Sequence, residues 1–147
     1  MSAEALVIAN YLRVASQDLD GARTLAASGN RNAVYLCEQA AEKIIRAVLT
    51  SEGTHGGIKH QLDLMVDEVP DANPMKAQLR AIEHLAAFAT TYRYPTAAGR
   101  VIDAPLPADL AADIKKVEVA LAEAVRGFEV DLAAGAKTPA KRPVPLR

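Results

Sequence analysis

Asn32-Ala-Val-Tyr-Leu-Cys-Glu-Gln-Ala-Ala-Glu-Lys-Ile-Ile-Arg-Ala-Val-Leu49 is the stretch that decides the fold. Cys37, Ala41, Ile44 and Val48 recur at spacings of four and three, one apolar stripe of a 3.6-residue helix. Ala33, Cys37, Ala40 and Ala41 give that face small side chains, which let a neighbouring helix come close. Cys37 then reads as one more small buried hydrophobe, since nothing flanking it would clearly depress its pKa. The opposite face carries charge. Glu42 before Arg46 is the favourable i,i+4 order, Glu38 and Glu42 repel mildly, and Gln39 lies one turn from Lys43. Two readings of this face stay open: an ordinary solvated surface, or a polar groove that receives an anionic ligand through Lys43 and Arg46.

The same periodicity extends on both sides. Residues from about Ala5 to Ala27 place Ile8, Leu12, Ala15, Leu19 and Ala22 on one stripe, closed by Ser28-Gly29-Asn30. The quoted helix runs from about Arg31 to Ser51, and so short a connection packs the two antiparallel. After the loop Gly53-Thr-His-Gly-Gly57, a shorter helix is expected from about His60 to Val69. A fourth is expected from Pro74 to Tyr92 through Met75, Leu79, Ile82, Ala86 and Ala89. The last, Pro107 to about Ala134, carries Leu110, Ile114, Val117, Leu121, Val125, Phe128 and Leu132. All eight prolines fall at ends or in loops. The fold class is all-α: an up-and-down four-helix bundle with an additional short helix, five helices in total.

Composition agrees. The 147 residues fit one domain, half are apolar, and only six are aromatic, with no Trp. The formal charge of −1 is uneven: Lys137, Lys141, Arg142 and Arg147 give the tail +4, leaving −5 on the body. So acidic a body binds polyanions poorly unless through a local basic pocket or the tail. Residues 1–134 are expected to form the bundle and 135–147 a basic, Pro-containing disordered tail. A single cysteine excludes an internal disulfide, and three histidines without His-x-x-x-His spacing give no zinc ligand set. No metal and no cofactor is expected. The N-terminus lacks a signal-peptide pattern and no apolar run approaches a membrane span, so a cytoplasmic protein without membrane contact is the expectation.

Four blocks in order resemble the HEPN domain family: Asp18 and Ala22; Asn32 through Lys43 with its Gln-Ala-Ala-Glu-Lys; Lys59-His60-Gln-Leu62; and Arg93-Tyr94-Pro95. They span roughly residues 10 to 130. The resemblance implies an up-and-down bundle, commonly a homodimer, often encoded beside a minimal nucleotidyltransferase. Members include ribonuclease toxins and domains proposed to bind nucleotides. Ribonuclease members carry an arginine, four to six residues, then a histidine. Here Arg93 would need its histidine at Ala98, Gly99 or Arg100, and Arg80-Ala-Ile-Glu-His84 is one residue short.

The candidate polar site is therefore Glu38, Lys43, Lys59, His60, Arg93 and Tyr94. Arg93 at a helix end beside Tyr92 and Tyr94 suits either a structural stop or base stacking and phosphate contact, and Tyr35 stands on the side that would join them. Lys59 and His60 suit either a loop support or an anion site. Arg80 and His84, one turn apart on the expected fourth helix, are the weaker catalytic candidates. The leading expectation is a non-enzymatic HEPN-like module engaging a nucleotide, RNA or a nucleotidyltransferase partner in a toxin–antitoxin-type system. The alternatives are a metal-independent endoribonuclease and a structural dimeric adaptor. The dimer is expected to form through exposed parts of the alanine-rich faces.

Overall fold

A computed structural model describes residues 2–54 and 61–147. Lys59 and His60, and most of the Gly-rich loop before them, lie outside the described residues. Helix α1 (Ala3–Ala27) starts where the Ser2 hydroxyl accepts the Ala5 N–H at 3.3 Å, an N-cap. It ends at Gly29, whose φ of 72° lets the Asn30 N–H reach back to the Leu25 carbonyl at 2.9 Å. Helix α2 (Asn32–Ser51) returns antiparallel against it. Gly21 makes that approach close: a Cβ there would stand 2.8 Å from Leu36 Cδ1.

Helix α6 (Pro107–Phe128) crosses both, with Pro107 in its first turn where the missing N–H costs nothing. The fourth position of the bundle is filled by a discontinuous run: α4 (Lys76–Arg80), a 3-10 helix (Glu83–Ala87) and α5 (Phe88–Thr91). Helix α3 (Leu62–Asp67) is the additional short one. The architecture is thus the all-α bundle expected, and no strand occurs among the described residues. Ile8, Leu12, Leu19, Ile44, Ile45, Leu49, Leu79, Ile82 and Phe128 are fully buried at its centre.

Three local expectations change. The continuous helix from Pro74 to Tyr92 is broken. Leu79, Ile82 and Leu85 are all fully buried, and their spacing is three, the period of a 3-10 helix. The Ile82 and Leu85 N–H groups each bond the carbonyl three residues back, at 3.2 Å, so the winding is tighter across the break and lines the three up on the core. Helix α6 stops at Phe128 rather than near Ala134, because Glu129 takes the left-handed cap conformation at φ 52°. The Asp131 carboxylate then accepts the Ala133 N–H at 2.9 Å and turns the chain.

The tail expected to be disordered instead returns along the bundle. Ala140 N–H donates to the Ala5 carbonyl at 2.9 Å and Arg142 N–H to that of Phe128 at 3.0 Å. Arg13, almost fully buried, donates to the carbonyls of Asp131 (2.9 and 3.2 Å) and Thr138 (2.7 Å). Leu146 packs where Gly127 lacks a side chain: a Cβ there would lie 2.5 Å from Leu146 Cδ2. The tail has little to bury by composition, but the backbone carbonyls around a buried guanidinium and two apolar contacts, Ala140 and Leu146, hold it.

Candidate functional site

Helix α2 divides into two faces. On one, Ala33, Cys37, Ala40, Ala41 and Ala47 are completely buried within this chain. This face of α2 packs within the chain, against α1 and α6. Cys37 is the small buried hydrophobe its neighbours implied. Burial first, then the carboxylates of Asp113 and Glu38, push its thiol up to about 12.

On the other face Tyr35, Gln39 and Lys43 follow one another at i,i+4. At the first of these, the chain leaving α5 brings in Arg93, whose N–H is held by the Thr90 carbonyl at 3.1 Å. The Arg93 guanidinium carbon lies 4.1 Å from the Tyr35 ring centroid and 5.3 Å from that of Tyr94, with Pro95 ending any helical continuation. Arg93 and Tyr94 are exposed, and Arg93 makes no ion pair among the described residues. Its donors are oriented by two aromatic faces and not neutralised. Behind it, His84, Phe88 and Tyr92 form a ladder one turn apart, with centroid separations of 6.0 and 5.4 Å.

Two turns further along α2, about 12 Å by helix rise, Lys43 is already matched. Its ammonium lies 2.5 Å from the Asp18 carboxylate of α1 and 3.4 Å from Gln39 Oε1. Arg46 pairs with Glu42 at 3.5 Å, as the i,i+4 order implies. Glu38 is fully buried, and its Oε2 accepts the Gln39 amide at 2.9 Å. Glu38 is thus spent inside the bundle and Lys43 on Asp18, two turns from where Arg93 and Tyr94 stand exposed.

Arg80 and His84 are not a pair. The break after α4 removes the shared helical face that their spacing suggested. Arg80 is turned onto Asp67 at 2.5 Å and Glu83 at 2.8 Å, whereas His84 Nε2 meets Asp113 of α6 at 2.9 Å. Those acids hold the Arg80 guanidinium above its ordinary pKa, the Asp67 and Glu83 hydrogen bonds being the cause. Sequence reasoning missed Asp113 and Phe88. The signal for Phe88 was present as 84, 88, 92 spacing; Asp113, on a distant helix, left none.

No group of three His, Cys, Asp or Glu side chains among the described residues is placed to hold a metal ion. No helix among them is long and apolar enough to cross a membrane. What the fold and the exposed face define is an all-helical bundle presenting a cationic–aromatic clamp. Residues 8–127 match the HEPN domain family, and the chain belongs to it. Searches of curated proteins and of solved structures return no match. Membership makes the chain a nucleotide- or RNA-related module in the general sense.

Proposed function

We propose that this HEPN domain is a non-enzymatic binding module in which the Arg93 clamp receives a nucleotide, free or carried by a nucleotidyltransferase partner. One observation carries the reading. Arg93 is an exposed guanidinium, stacked between Tyr35 and Tyr94 and without an acid of its own among the described residues. A guanidinium oriented in this way forks onto a phosphate, and the outward Tyr94 ring, 60% exposed, offers a face on which a base stacks. The acidic body favours a short ligand over a long polyanion. Homodimerisation, a minimal nucleotidyltransferase partner and a place in a toxin–antitoxin pair belong to the same proposal.

The endoribonuclease reading draws on His84. A carboxylate on one imidazole nitrogen orients the other for proton transfer. Against it, Arg80, the nearest cation in sequence, is occupied by Asp67 and Glu83, so phosphate charge has no obvious partner there. Incubating the protein with mixed RNA beside His84→Ala separates the two. The binding reading expects no cleavage in either sample; cleavage lost on His84→Ala would replace it.

A further inference from the structure

Between the end of α1, the start of α2 and the first turns of α6 lies a cavity of about 580 Å3, the size of a small-molecule site. Ala26, Val34, Pro105, Leu110 and Ile114 form its walls. Small side chains at Ala104 and Ala111 leave it unfilled, and Pro105 and Pro107 fix the backbone that borders it. No aromatic side chain lines it, so a base would find nothing to stack on.

Its mouth is cationic. Arg23, Arg31 and Lys115 face the one lining carboxylate, Glu118, on a protein whose body is acidic. Arg23 spends its charge on Asp20 at 2.7 Å and Glu118 at 2.8 Å. Arg31 does not: it donates to the neutral Ile102 carbonyl at 2.7 Å and makes no ion pair among the described residues. Val101, Ile102 and Leu106, all exposed, add apolar surface on the segment that Arg31 ties down. An apolar chamber with an uncompensated guanidinium at its entrance fits a molecule with a hydrocarbon body and an anionic head.

We propose that this cavity binds an aliphatic carboxylate, its chain against Val34, Leu110 and Ile114 and its head group at Arg31. The site is independent of the Arg93 clamp.

Calorimetric titration of the full chain with octanoate, decanoate and 1-octanol tests it. Saturable binding is expected, tightening roughly tenfold from octanoate to decanoate as two methylenes leave water. 1-Octanol should bind at least tenfold more weakly than octanoate. Arg31→Gln, which keeps a donor for Ile102, should erase that preference. Ala111→Phe, a change at an exposed position, should fill the chamber and abolish binding while Arg93→Ala leaves it intact. Absence of saturable binding, equal affinity for octanol and octanoate, indifference to both cavity variants, or displacement of decanoate by AMP would each overturn the proposal.

Discussion

Arg80 closes α4 and Arg93 follows α5, at the two ends of one discontinuous segment, and they come to opposite outcomes. Arg80 is surrounded by Asp67, Glu83 and the Asp63 carbonyl, and its charge is spent inside the molecule. Arg93 meets only the faces of Tyr35 and Tyr94. In sequence each is an arginine near an aromatic or a histidine: His84 lies four residues after Arg80, and Tyr92 and Tyr94 flank Arg93. The difference comes from what packs opposite. Helix α3 brings the Asp67 carboxylate and the Asp63 carbonyl to Arg80, and helix α2 brings an aromatic ring to Arg93. An arginine held by carboxylates supports the fold, and one held by rings remains available to a ligand.

The comparison predicts where substitutions should be felt. The segment carrying Arg80 is anchored by Leu79, Ile82 and Leu85, so Ile82→Ala should cost about 2–5 kcal/mol in chemical denaturation. Folded Ile82→Ala should still bind nucleotide as the wild type does. A cost under about 1 kcal/mol would mean that the period-three stripe does not bear on the core. Arg13→Ala strips the tail of its guanidinium and leaves the Asp131 and Thr138 carbonyls unmet, at about 2–3 kcal/mol. Amide exchange should show the tail from Val130 onward losing protection first.

Smaller effects sharpen the clamp. Tyr35→Leu keeps bulk but removes the ring beneath Arg93, and nucleotide binding should weaken by about 0.5–1 kcal/mol; titration of the variant against wild type reads this directly. Cys37 supplies a control on the buried face. With its thiol pushed up to about 12, the folded protein should resist a thiol reagent at pH 8 and react only when denatured. The sign of its pH dependence follows. The folded state holds the proton more tightly than the unfolded chain, so stability is full below the ordinary thiol value. It should fall as pH rises from there toward about 12. Asp71 acts at the acid end, its pKa lowered by the Lys76 hydrogen bond. Its contribution is present above the ordinary carboxylate value and lost as pH falls through the lowered one. Being fully exposed, it should change the acid midpoint least of all these groups.

Much of the bundle was legible because α1, α2 and α6 bury stripes of 3.6-residue period, as Ile8, Leu12 and Leu19 or Cys37, Ala41 and Ile44 show. The segment from Met75 to Thr91 was misread because two periods overlap there. Leu79 and Ile82 fit either, and the 3.6-residue stripe continues to Ala86, whereas the period of three continues to the fully buried Leu85. The tail was misread because composition counts side chains to bury, whereas its order rests on backbone groups meeting Arg13. At the site, Arg93, Tyr94 and Tyr35 were visible as types at a helix end. That Lys43 belongs to Asp18 and His84 to Asp113 depends on which helices meet, and i,i+4 spacing carries no such information.

Titration of ATP into wild type, Arg93→Ala and Arg80→Ala tests the clamp most directly. Arg93→Ala should bind at least tenfold more weakly with its melting temperature little changed, and Arg80→Ala should bind within about twofold of wild type. Wild-type affinity in Arg93→Ala, or a loss confined to Arg80→Ala, would contradict the account.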